Sequence, residues 1–166
     1  KMNNTDYSNM IEILREATGI KSEKAKISES KLTIHIRSGD VFQSKSPHPL
    51  YGQPPFSFYQ EAIKHFNPDS VDLVFEDKKN PVIDKLISFL KDRKIFFTIY
   101  SSDSLREDIQ ILVNAKALVI GNGNFLPGVI CFANYLDNIY TFNRKVISIM
   151  LSNEAIKRIN NFVISD

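Results

Sequence analysis

The chain is poor in the residues that staple or punctuate unusual folds. Its single cysteine, Cys131, cannot close a disulfide within the chain, and its three histidines are too widely spaced to read as zinc ligands, so no metal is expected. Six glycines and seven prolines are few among 166 residues, and no segment repeats, which excludes fibrous, low-complexity and solenoid architectures. No apolar run approaches the ~20 residues of a membrane helix. Charge of one sign is also lacking. With 21 Lys and Arg against 19 Asp and Glu, the net charge of +2 is too even for a protein that coats nucleic acid, and any anion it binds is expected to be small. What the chain does have is 43% hydrophobic residues at the size of one ordinary domain, enough for a core without metal or membrane support.

Hydrophobic periodicity places that core. Tyr7, Ile11 and Leu14 recur at helical spacing, with Asn4 or Thr5 ahead of them as a cap and Gly19 behind as a stop. Residues 20–31 are polar and weakly patterned, and read as a linker. From Leu32 the pattern alternates. Short β-rich runs are expected at Leu32 to Ile36, Val71 to Phe75, Ile95 to Tyr100, Ala117 to Ile120 and Ile139 to Phe142. Between them lie helices near Ser57 to Phe66, after the Asn80-Pro81 pair, after a capping box of Ser104 and Glu107, and around Pro127 to Asn134. A last helix is expected at Asn153 to Phe162. The division is thus an N-terminal helix and linker at residues 1–30, then a Rossmann-like α/β domain at 31–166. Its parallel sheet has about five strands, with helices on both faces.

In such a sheet ligands bind outside the carboxyl ends of the strands, so the polar residues just after each strand rank first. His35 and Arg37 are two apart in extended chain and share one face. A guanidinium suits phosphate oxygens, and a neutral imidazole can hydrogen-bond a ribose or a base edge. Asp40 can hold the arginine or shape the turn. The alternative is a structural Arg37–Asp40 ion pair with His35 packed in the sheet. Glu76 and Asp77 fall on the same edge, although Lys78 and Lys79 beside them fit a solvated turn equally well. Ser101, Ser102 and Asp103 read as capping residues, His65 as a surface residue, Cys131 as core packing, and Tyr51 and Phe56 as core or as stacking partners.

His35-Ile36-Arg37-Ser38-Gly39-Asp40 resembles the H-x-R-x-G-D signature of GDP-fucose-dependent fucosyltransferases of the α-1,2, α-1,6 and protein O- types. The resemblance continues through Pro47-His48-Pro49 ahead of a helix, through the segment Asp108 to Ala115, the apolar run Ala117 to Ile120, and the turn Gly121-Asn122-Gly123-Asn124-Phe125. It covers roughly Leu32 to Asn134. It implies the C-terminal donor-binding half of a GT-B glycosyltransferase, with a GDP-sugar, GDP-fucose first, as substrate. Transfer would be metal-independent, to a glycan or protein hydroxyl. By the same resemblance Arg37 binds the diphosphate and is the catalytic residue, His35 meets the nucleoside, and Asp108 accepts from the adjacent N1–H and N2–H₂ of guanine. Gly123, Asn124 and Phe125 bring backbone N–H groups to phosphate at a helix N-terminus. Gly123 and Asn124 stand where the family carries Ser-Ser or Ser-Phe, so hydroxyl contacts are absent there. His48, Glu76 and Asp77 complete the candidate set. No residue stands out as the general base, with Asp40 and Glu76 the nearest options.

The length fits one half of such an enzyme, so the expectation is the donor domain of a longer transferase, the alternative being a member with a reduced acceptor region formed by the first helix and the Ser46 to Pro55 loop. The implied compartment is the cytoplasm for a bacterial chain and the secretory lumen for a piece of a eukaryotic enzyme. The competing expectation is a non-catalytic Rossmann-like module that binds a nucleotide, a phosphorylated ligand or a protein partner. A third class, another phosphate-handling enzyme, lacks both G-x-G-x-x-G and the Walker lysine. Asp108 has a plainer role available as well, stabilising the first turn of its helix through the macrodipole.

Overall fold

The computed structural model of the protein describes residues 4–23, 28–42, 53–101, 104–121, 125–142 and 159–164. An N-terminal helix, α1 (Asn4–Thr18), precedes strand β1 (Lys31–His35), a 3-10 turn (Gly39–Phe42) and helix α2 (Phe56–Phe66). Then come β2 (Ser70–Val74), α3 (Val82–Asp92), β3 (Phe96–Tyr100), α4 (Leu105–Val113), β4 (Ala117–Ile120), α5 (Phe125–Phe132), β5 (Asn138–Thr141) and β6 (Asn160–Val163).

All six strands are parallel, in the order β3-β2-β1-β4-β5-β6. The chain runs outward from β1 to β3, returns through α4 to the other side of β1, and runs outward again. Right-handed crossovers therefore put α2 and α3 on one face and α4 and α5 on the other. The packing follows this division. Leu32, Ile34 and Ile36 of the β1 segment face Phe58, Tyr59, Ile63, Leu86 and Leu90, whereas Leu118 and Ile120 of β4 face Leu112, Val113, Val129 and Ile130. Strands β2 and β4 are buried along almost their whole length, as expected for parallel strands covered twice.

Three features depart from the sequence reading. Asn160 to Phe162, expected inside a closing helix, instead form with Val163 a sixth strand beside β5. Phe162 stacks on Tyr140 with ring centroids 4.9 Å apart and planes 18° apart, so an aromatic contact across two strands fixes there what apolar spacing alone left open to a helix. Ile20, placed in the linker, is 6% exposed and belongs to the core under α4 and α5. The residues after it dock on α4, with Ser22 Oγ donating to the Val113 carbonyl (2.9 Å) and the Glu23 N–H donating to Asn114 Oδ1 (2.7 Å). On α1, Ile11 is buried but Leu14 is 39% exposed, so the helix lies on the domain by a narrower seam than the spacing implied. Arg15 Nη2 donates to the Phe132 carbonyl at 3.1 Å across that seam. His65 is exposed, as its place at the end of a helix implies. Its Nδ1 lies 3.0 Å from the Tyr140 hydroxyl and its ring 4.5 Å from that of Phe162. Cys131 is half-buried.

Candidate functional site

The strand order changes direction between β1 and β4, and the crevice at their carboxyl ends is where a sheet of this kind takes a ligand. His35 ends β1 opposite Ile120, the last residue of β4. His35 shares the α4 face with Arg37, and that face meets no apolar side chain from β1 itself. Lost hydration at His35, helped by the nearby Arg37 guanidinium, lowers the imidazole from 6.5 to about 4. At neutral pH the ring is therefore uncharged, with one nitrogen donating and one accepting.

Arg37 Nη2 meets Asp40 Oδ1 at 2.5 Å. Both side chains stay open to water, 41% and 72% exposed, so the pair contributes little stability but sets the direction of the guanidinium. Among the described residues Asp40 is the one acceptor the guanidinium meets.

The loop carrying Arg37 is tied to the loop after β2 by a polar chain. Asp77 Oδ1 accepts from Ser38 Oγ (2.6 Å), from the Gly39 N–H (3.1 Å) and from the Lys79 N–H (3.0 Å), and Lys79 Nζ lies 2.8 Å from Oδ2. Ser38 Oγ accepts from the Asn80 N–H (3.0 Å), and Asn80 Nδ2 donates to the Arg37 carbonyl (2.9 Å). Asn80 also opens α3, its Oδ1 accepting from the Val82 N–H at 3.0 Å. The bond from Lys79, then that from Ser38, holds the Asp77 carboxyl far below the usual carboxylate range. Asp77 thus anchors the loop that carries Arg37. Ser38 and Asn80, each 1% exposed, are the members of this support that sequence reasoning missed. Their only signals were the small polar residue between Arg37 and Gly39 and an Asn-Pro pair that already had a capping explanation.

Gly39 has φ +67°, and a Cβ there would sit 2.0 Å from Glu76 Oε2. The positive φ is what favours glycine here, since the Glu76 carboxylate is the mobile end of an exposed side chain and could move aside; the Glu76 carbonyl accepts from Ser101 Oγ (3.3 Å). Gly121, just after β4, is buried, and a Cβ there would stand 3.1 Å from Pro54 Cδ. The chain entering α2 therefore crosses the end of β4.

Two helix N-termini reach the same edge. Ser104 caps α4, its Oγ accepting from the Glu107 N–H at 3.4 Å, and Asp108 lies half-buried in the first turn of that helix, where the plainer macrodipole role also places it. Phe125 opens α5. His48, Gly123 and Asn124 lie outside the described residues. The structure thus groups His35 with Arg37 and Asp40, and Glu76 and Asp77 with the loop that carries Arg37, while Asp108 and Phe125 arrive at that edge on separate helices. Among the described residues no helix is long and apolar enough to cross a membrane.

No family model matches the chain, and no curated protein matches it. Among solved structures it is similar to POFUT1 in complex with GDP, at 12% identity and a TM-score of 0.45, over 78% of this chain and 44% of that one. Two structures of POFUT1 with GDP-fucose match at 12% and 13% identity with TM-scores of 0.39 and 0.41. They cover 68% and 77% of this chain and 37% and 42% of theirs. The chain spans less than half the length of these proteins, and likeness at this level assigns it neither a family nor a ligand.

Proposed function

We propose that the domain binds the nucleoside diphosphate of a GDP-sugar, GDP-fucose first, and is the donor-binding half of a metal-independent GT-B glycosyltransferase. The observation that carries this reading is Arg37. Its guanidinium stands at the switch point of the sheet, oriented by Asp40 and by a loop locked to its neighbour, with a neutral His35 two residues before it on the same face. A fixed guanidinium stabilises negative charge where it develops on the leaving diphosphate as the glycosidic bond breaks, with no reorganisation at that moment. His35 supplies a hydrogen bond to the ribose, and the Asp108 carboxylate accepts the paired guanine donors. The N-terminus of α5 offers backbone N–H groups to the phosphates. The acceptor hydroxyl of a glycan or protein, and the base that deprotonates it, belong to the part of the reaction these residues do not supply.

Calorimetric titration with GDP, UDP and AMP tests the reading. A preference for GDP is expected, and equal affinity for the three overturns it. Arg37→Ala should weaken GDP binding by about 1.5–3 kcal/mol, the range for hydrogen bonds to a charged group, and an unchanged affinity removes Arg37 from the site. GDP binding without sugar transfer or donor hydrolysis by the full-length protein would identify the domain as a non-catalytic nucleotide-binding module.

A further inference from the structure

A cavity of about 550 Å³ lies on the α4 face of the sheet, with its floor toward the amino half of the strands. This volume is within the ~300–1,000 Å³ of ordinary small-ligand pockets. Its floor is Lys31 and Thr33 of β1 with Asp72 of β2, its wall is one side of α4, and its upper rim is Tyr100 and Glu107. Strands buried on both faces of a parallel sheet should be apolar. On this face they are not: Thr33, Asp72 and Thr98 lie side by side across β1, β2 and β3. Asp72 is only 6% exposed, and its Oδ2 lies 3.2 Å from Lys31 Nζ. Burial raises its carboxyl against the pull of that lysine. Among the described residues no hydrogen bond engages the hydroxyls of Thr33 or Tyr100.

Both lysines of the lining are already paired, Lys31 with Asp72 and Lys116 with Glu29 and Asp137, which disfavours a simple anion. What remains is a buried carboxylate that accepts, an ammonium that donates, hydroxyls that do either, and one half-buried aromatic ring. That set matches a neutral ring bearing adjacent hydroxyls, which can donate to the carboxylate, accept from the lysine and lay its C–H face on the tyrosine. We infer that this cavity is a binding site for a neutral carbohydrate, a pyranose or a short chain of them, separate from the crevice at Arg37. The inference does not depend on the nucleotide reading, because none of its lining residues is assigned to the nucleotide.

Ligand-observed NMR with a panel of neutral methyl pyranosides, with inorganic phosphate and sodium acetate as ionic controls, tests it on the full chain. At least one pyranoside should bind, and Thr33→Val and Tyr100→Phe should each weaken it fivefold or more, while Arg37→Ala leaves it unchanged. Asp72→Asn should abolish binding. Circular dichroism reports whether that variant folds, and Thr33→Val and Tyr100→Phe decide the matter if it does not. Binding of none of the sugars, binding of phosphate or acetate instead, or sugar binding lost with Arg37→Ala and kept in Thr33→Val and Tyr100→Phe would each overturn the inference.

Discussion

Two titrating groups near Arg37 act on stability in the same direction for different reasons. Asp77 has a folded value below its ordinary 3.8, so its contribution is present above that value and is lost as pH falls through the acid range. Asp77→Asn should therefore flatten the acid limb of a plot of urea midpoint against pH, and an acid limb as steep as that of the parent protein would contradict the anchoring role. His35 has a folded value of about 4 against an ordinary 6.5. Between those values the unfolded chain takes up a proton that the folded chain refuses, so stability falls as pH drops from 6.5 toward 4. A ring-proton NMR titration should place the His35 midpoint near 4. Arg37→Ala should raise it, because the guanidinium is the second cause of the shift, and a midpoint near 6.5 in the parent protein would show a hydrated ring. At this scale the sequence revealed the local half of the site. Arg37 and Asp40 are three residues apart and their pairing could be read directly, whereas the bond between Ser38 and Asn80 joins positions 42 apart and exists only once β1 and β2 lie side by side.

Elements whose ends carry local signals match their expected positions best. Ser104 caps α4 as the Ser-x-x-Glu spacing implies, and Ser104→Ala should lower stability by about 0.5–1 kcal/mol, the lower part of the range for caps because the bond is long at 3.4 Å. Equilibrium denaturation measures this, and a loss well above 2 kcal/mol would mean the serine does more than cap. β4 occupies the expected residues because its four positions are all buried and an unbroken apolar run has one reading there. The failures have a common cause. β6 is held by Tyr140 and Phe162, and Ile20 by the crowding of α4 and α5, both long-range contacts that override weak local preference. β3 was found from its aromatic residues, yet Phe96 is 82% exposed, so the aromatic content that signalled a strand did not signal burial.

For the molecule as a whole, repeated strand and helix implied a parallel sheet and its functional edge, but not the order of strands, since that depends on which side of β1 the chain returns to after α4. The energetic centre follows from that order. Ile34, fully buried on β1, should cost about 2–5 kcal/mol on replacement by alanine, whereas Phe96→Ala on the outer strand should stay within about 0.5 kcal/mol. Comparable losses from the two in urea denaturation would place the core elsewhere. The central position of β1 also has a bearing on time. As a chain grows from its amino end, β1, β2 and β3 can pair under α2 and α3 before β4 has been made, whereas the pairing of β1 with β4 must wait for every residue between them. The crevice at Arg37 has one wall until then. On the proposed reading, nucleotide binding at this edge must follow that last pairing, and a nucleotide present during refolding should favour chains that have completed assembly without hastening the steps before it.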